Sequence, residues 1–469
     1  MQYLKVQVAA VWLLMLAFAP VAAGQPLSST ERARIDEAVR SVLATTGAPS
    51  AAFAIVRGGA VVYENAFGVA RIAPETPAAP TMRYAIGSVS KQFTATAVLL
   101  LQEQGKLSID DTVGKWFPQL TRANEVSVRQ LLSMTSGYQD YWPQDYVFMD
   151  MQRPAPASEI MARWAGKELD FPPGTKWQYS NTNYVIAAAI VERVAGIPFF
   201  EFLQQRVFAP LRMTSVRDFD RAPLAATDAQ PLLRNALGPF REAPKEAAGW
   251  LFGAGQLAMT AHDLALWNIS MIDRSLLKPE SYKVMHTDML LAPGTATGYG
   301  LGVQVSAPGG RRRIAHGGAV SGYTTASRIY PDDRAAVVVF TNIYPGAANA
   351  PGAIADRIAN VIFAESDAAR AAARDQARAI YDALVKGQLD RTLFTPAANA
   401  YFTAEVLADY ATSLSPLGAP TEFVSTGESP RGGMLIRSYR IRAGNVTMDL
   451  TTMTLPDGKL DQYVISRAG

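Results

Sequence analysis

A chain of 469 residues with 49% apolar and 18% charged residues has the composition of a folded globular protein, and its length predicts one large unit plus a smaller one rather than a single core. Forty-four basic residues stand against 41 acidic ones, a balance that, without a polybasic run, offers no footprint for nucleic acid. Cysteine is absent, which excludes disulfides, thiolate metal sites and lipid attachment at a cysteine.

In chain order, residues 1–24 read as a secretory signal peptide. "MQYLK" is short and weakly basic, "VQVAAVWLLMLAFA" is apolar, and "PVAAG" supplies small residues at a cleavage site. The apolar run is short for a membrane span, an uncleaved anchor being the other reading, and no later stretch is long and apolar enough to cross a bilayer. The expected location is the periplasm or the exterior. "LSSTERARIDEAVRSVLATTG" predicts a helix with Ser28 and Glu31 at capping-box spacing. "SAAFAIVRGGAVVYENAFG" predicts a hairpin turning at Gly58-Gly59. An apolar helix is expected from Ser88 to about Gly105, with further helices at 128–134, 157–166, 182–195 and 199–206 and one starting at Thr260. "YGLGVQVS", "RRRIAHGG", "TTASRIYP" and "RAAVVVFTN" read as successive antiparallel strands.

Strands at both ends with helices between them predict an α+β fold: one antiparallel sheet flanked by helices, with a helical insertion, over residues 25–365. Residues 366–469 read as a separate small α+β domain, an alanine-rich helix followed by short β-like runs turning at Gly432-Gly433, Gly444-Asn445 and Asp457-Gly458. Its order is loosely similar to NTF2-like folds.

The chemistry-bearing segment is "AIGSVSKQFTATAVLLLQEQG". A serine hydroxyl needs a neighbouring base to become a nucleophile, and Lys91 lies three residues after Ser88, on one helix face. Taken alone, the pair reads as a helix cap and a solvated lysine, because Ser is a preferred cap. Likewise Tyr179 reads as a core aromatic, Asn181 as a cap and His316 as a satisfied, half-buried histidine, the reading that also fits His262 and His286. No two histidines stand at metal-ligand spacing and HExxH is absent, so neither a metal nor another cofactor is expected. A G-x-S-x-G elbow is absent too, which removes the α/β-hydrolase reading of "HGGA".

The order Ser88-x-x-Lys91, Tyr179-x-Asn181 and His316-Gly317-Gly318, joined by "LLSMTSG", "PPGTKWQYSNTNY", "GAGQLAMTAHDLALW", "GYGLGV" and "VVVFTN", resembles the serine β-lactamase and penicillin-binding-protein-like superfamily, its class C β-lactamase and DD-peptidase branch in particular. The resemblance covers roughly residues 30–362. It implies a β-lactamase/transpeptidase-like fold with Ser88 as acylated nucleophile, Lys91 as general base or proton shuttle and Tyr179 as proton carrier to the leaving group. It implies Asn181 as a partner of the acyl side chain or of Lys91, Gly318 as the point of close substrate approach, and the N–H groups of Ser88 and Ala319 as the oxyanion hole. Neither Lys91 nor Tyr179 is expected to be a packing residue.

His316 departs from the pattern, standing where β-lactamases carry the lysine of Lys-Thr-Gly. A histidine beside Lys91 is mostly neutral at pH 7 and attracts a substrate carboxylate less. His-x-Gly resembles some esterases, D-aminopeptidases and DD-carboxypeptidases, and Arg311, Arg312 and Arg313 are candidates for restoring positive charge or for a solvated strand end. The expected activity is hydrolysis of esters or D-amino-acid peptides, small molecules or short peptides, through an acyl-enzyme. A weak β-lactamase or DD-carboxypeptidase, or a silent binder of cell-wall fragments, are the alternatives.

Overall fold

The computed structural model describes residues 26–468 apart from 145, 146 and 293; the expected signal peptide lies outside them. The chain ends of the larger unit meet in a seven-stranded sheet, in the order Glu75–Pro77, Ala60–Ile72, Ser50–Arg57, Ala335–Thr341, Tyr323–Tyr330, Arg313–Val320 and Gln304–Ser306, all neighbours antiparallel. The two central strands pair from Ala51 opposite Thr341 to Val56 opposite Ala336. Between Ala51 and Val56 and between Ala335 and Phe340 they are apolar because both their faces are buried. Ala52, Ala54, Val56, Ala336, Val338 and Phe340 point into the main core, while Phe53, Ile55, Val337 and Val339 pack beneath the helices Ser29–Thr46 and Ala350–Ile362.

Capping chemistry sets the first helix. The Ser28 hydroxyl accepts from the Glu31 N–H at 3.1 Å, the Glu31 carboxylate accepts from the Ser28 N–H at 2.7 Å, and Gly47 ends the helix with φ 70°. Between the hairpin and the returning strands lies the helical layer, including Lys91–Glu103, Val128–Leu132, Asn181–Ala195 and Ala261–Asp273. The fold is thus the expected α+β arrangement. Two expected helices begin as α-helix and continue as wider π turns, Ala157–Ile160 into Met161–Ala165 and Phe199–Leu203 into Gln204–Phe208.

After the helix Ala350–Ile362 a single residue, Phe363, leads into the helix Ala364–Leu384. The sequence analysis places strands directly after this helix; instead the helices Pro396–Tyr401 and Ala404–Leu414 come first. A four-stranded antiparallel meander from Glu422 to Arg467 follows. This part has its own apolar cluster, with buried members from Ala377 to Tyr463. Ion pairs tie it to the main sheet: Arg311 bonds Asp333 at 3.0 Å and Asp367 at 2.9 Å, and Arg370 reaches Asp333 at 3.4 Å.

Candidate active site

Ser88 does not open an α-helix. It sits in a 3₁₀ turn, Gly87–Ser90, and the α-helix begins at Lys91. A 3₁₀ turn has three residues per turn, so positions three apart eclipse one another, and the Lys91 side chain is brought back under the Ser88 hydroxyl. Its Nζ lies 2.9 Å from Ser88 Oγ, 2.8 Å from Asn181 Oδ1 and 2.9 Å from the Ala254 carbonyl. Lys91 is fully buried, contrary to the expectation that it is no packing residue. The rings of Tyr179 and Tyr184 face Nζ at 4.9 and 5.5 Å.

Burial holds the Lys91 pKa down at about 7, with the charge of Asp140 working in the opposite direction. As an ammonium, Lys91 donates to all three neighbours. The Asn181 amide oxygen and the Ala254 carbonyl can only accept, so in the amine form the two N–H groups stay with them and the lone pair faces Ser88. Tyr179 is half-buried. Desolvation raises its hydroxyl well above the ordinary phenol range, against a hydrogen bond with Ser88, so it remains protonated.

Asn181 is the first residue of the helix Asn181–Ala195 and is fixed from its other side by Asp140. The Asp140 carboxylate accepts from the Asn181 backbone N–H at 2.9 Å, from its Nδ2 at 3.2 Å and from the Trp142 N–H at 3.2 Å. Burial raises the pKa of Asp140, opposed by these bonds and by Lys91. Asp140 is not among the residues that the sequence singles out, although it lies three residues after the landmark "LLSMTSG". Nor is Tyr299, in the landmark "GYGLGV".

His316 is buried on the strand Arg313–Val320, with Nδ1 against the Gly317 carbonyl and Nε2 2.8 Å from the Tyr299 hydroxyl. A carbonyl only accepts, so Nδ1 carries the proton and Nε2 accepts from Tyr299. Burial, then the nearby Lys91 charge, push the His316 pKa down to about 4, and the ring is neutral at neutral pH. Arg311, Arg312 and Arg313 do not line the cleft and restore no charge there.

Gly318 brings the strand onto the serine turn. A Cβ there would lie 1.9 Å from the Ile86 carbonyl oxygen, and one on Gly87, at φ 51°, would lie 2.7 Å from the Ala319 nitrogen. The backbones at Ser88 and Ala319 therefore run side by side. Ser88, Tyr179, Asn181, His316, Gly318 and Ala319 line one cleft of about 640 Å³, with Lys91 beneath it. Among the described lining residues Asp140 is the one acidic side chain, and none is lysine or arginine. Thr325, opposite Gly318 on the next strand, also lines it with its hydroxyl buried and unpartnered.

Comparisons with known proteins fit this geometry. Residues 35–361 match the family described as Beta-lactamase. The chain is 26% identical over 303 residues to penicillin-binding protein 4* of Bacillus subtilis, covering 61% of this chain and 66% of that protein. It is 28% identical over 311 residues to the D-aminopeptidase of Brucella canis, covering 64% of this chain and 58% of that one. The chain thus spans less than two thirds of the length of either curated relative. Among solved structures, D-amino acid amidase from Ochrobactrum anthropi SV3 superposes with a TM-score of 0.63 at 21% identity, over 72% of this chain and all of that one. The octameric penicillin-binding protein homologue from Pyrococcus abyssi superposes with a TM-score of 0.62 at 20% identity, over 93% of this chain and 96% of that one, so likeness of fold extends past residue 361. With its family match running through the serine turn, the Tyr179 segment and the strand of His316, the chain belongs to the beta-lactamase family.

Proposed function

We propose that this chain is a serine hydrolase in which Ser88 attacks a carbonyl carbon and is acylated, on D-aminoacyl amides, short D-amino-acid peptides or related esters. The observation that carries the reading is the buried Lys91 amine 2.9 Å from Ser88 Oγ with its pKa brought to about 7. That amine takes the serine proton as the carbon–oxygen bond forms. Tyr179, still protonated, hands a proton to the departing group as its bond to the carbonyl carbon breaks and is reprotonated from the Lys91 ammonium. Water then attacks the acyl-enzyme, releasing the acid and restoring the Ser88 hydroxyl. The Ser88 and Ala319 N–H groups receive the charge on the carbonyl oxygen.

Substrate class follows from charge. A neutral His316 and a lone carboxylate at Asp140 suit a substrate with an ammonium or no charge near the scissile bond better than one with a carboxylate there. The names of the Brucella relative and the Ochrobactrum structure, a D-aminopeptidase and a D-amino acid amidase, point the same way. The pattern of residues 1–24 supports export, with the mature chain starting at residue 25, which N-terminal sequencing of the purified protein checks.

The function is tested with a fluorescent phosphonate and a substrate panel of short-chain esters, D-amino-acid amides and cephalosporins. Wild type labels and Ser88→Ala does not, and D-amino-acid amides or esters outrun cephalosporins. Absence of labelling under every condition favours a silent binder, and cephalosporins as the best substrates favour the β-lactamase reading.

A further inference from the structure

Away from the cleft, and sharing no lining residue with it, a pocket of about 480 Å³ lies between the end of the helix Ala261–Asp273, the helix Pro279–Met285 and the start of the strand Arg313–Val320. Arg274, Lys283 and Arg312 line it against a single acid, Glu280. Arg312 has its nearest carboxylate at 3.9 Å, on Asp332, and Arg274 and Lys283 have no ion-pair partner among the described residues. Like charges gathered without counter-charges repel one another, and an anion between them removes that cost.

The second observation is His286. It is 9% exposed, lines the same pocket, and its Nε2 is buried without a hydrogen-bond partner. Its ring rests near Tyr282, with centroids 5.9 Å apart. Both Arg312 and Arg274 act on it electrostatically and, after burial itself, help to keep it neutral. In the neutral tautomer that carries its proton on Nε2 this nitrogen is a donor, and a buried polar nitrogen without a partner is uncommon enough to call for one. The sequence analysis reads His286 as a satisfied histidine. The structure leaves it unsatisfied, in the most cationic pocket described.

We propose that this pocket binds the dianionic phosphoryl group of a small phosphate monoester, Arg274, Lys283 and Arg312 supplying charge and His286 a directed hydrogen bond. The lining carries a net charge of two positive, which a phosphoryl dianion balances and a monoanionic carboxylate does not. The volume exceeds that of a bare oxyanion and leaves room for a glycerol- or sugar-sized remainder.

The test is calorimetric titration of the full-length protein at fixed ionic strength with inorganic phosphate, glycerol 3-phosphate, acetate, and phosphatidylcholine vesicles with and without phosphatidic acid. Glycerol 3-phosphate is expected to bind saturably and more tightly than acetate. The double variant Arg274→Gln/Arg312→Gln is expected to weaken binding by about tenfold or more, the scale of a lost charge-assisted bond, with hydrolysis at Ser88 unchanged. Binding to phosphatidic acid vesicles without binding to the soluble ester assigns the phosphoryl group to a lipid headgroup. No saturable binding of any phosphate probe, equal affinity in the variant, or acetate binding as tightly as phosphate overturns the proposal.

Discussion

In the proposed mechanism it is burial, rather than sequence spacing, that makes Lys91 a base. Ser-x-x-Lys was legible in the sequence, but that the ammonium would be fully buried, with two acceptors besides the serine, was not, because those acceptors come from 90 and 163 residues away. With the amine as the reactive form in that proposal, kcat/KM should rise with pH through about 7 and level off above it. His316, neutral above about 4, adds no limb in that range. Because Lys91→Ala opens a void, Lys91→Met is the cleaner variant, expected to cost about 10²-fold or more in kcat/KM; near-wild-type turnover with unchanged melting removes Lys91 from the mechanism. Asp140 carries a separate expectation. Asp140→Asn removes the anion that stabilises protonated Lys91, so the acid limb should move to lower pH, and turnover of ammonium-bearing amides should fall more than that of uncharged esters. An unmoved limb and an equal loss on both substrates would mark Asp140 as merely structural. His316→Lys, in turn, is expected to raise the ratio of cephalosporin to ester turnover, and a flat or falling ratio shows that this position does not gate carboxylates.

At the level of elements, the central strands were legible because each face of each strand is buried and the apolar runs are unbroken. The helices Pro396–Tyr401 and Ala404–Leu414 were missed although Thr395 and Thr403 cap them through the N–H groups of Ala398 and Val406. Their signal is local and polar, and the β-like composition after them is the stronger pattern. The serine turn was misread as the first turn of an α-helix, since nothing in Gly87-Ser88 spells a 3₁₀ turn until the strand carrying Gly318 presses on it. That contact makes the clearest test at this scale. Gly318→Ala drives a methyl group to 1.9 Å from the Ile86 carbonyl, whereas on Gly317 the nearest atom lies at 3.7 Å. Gly318→Ala should therefore lose about 10²-fold in kcat/KM through a displaced oxyanion site, and about 1–3 kcal/mol of stability through overpacking. Gly317→Ala should melt with the wild type, and equal behaviour of the two variants would dissolve the argument from close approach.

For the molecule as a whole, the C-terminal part poses the open question of dependence. Its apolar cluster and the two clusters of the larger unit have no member in common, and Arg311 keeps Asp333 when Asp367 is removed. Phe363, edge-on to Tyr330 with ring centroids 4.9 Å apart and covered by the Arg311 guanidinium at 3.8 Å, stays with the larger unit. We therefore expect residues 25–365 alone to be soluble, to melt cooperatively and to label with the phosphonate; an insoluble fragment, or a folded one that does not label, makes the tail a working part of the enzyme. The pairing of Ser50–Arg57 with Ala335–Thr341 has a further consequence, in the order of synthesis. A ribosome releases the first of these strands almost three hundred residues before the second, so the middle of the sheet closes late and the early strand, apolar from Ala51 to Val56, waits with an unpaired edge. Pairings so distant along the chain make folding slow, and the early-made Ser88 meets Gly318 only once nearly the whole larger unit has been synthesised. On the proposed mechanism, reactivity is thereby withheld from the nascent chain: Ser88 lacks its neighbouring strand until the unit is nearly complete.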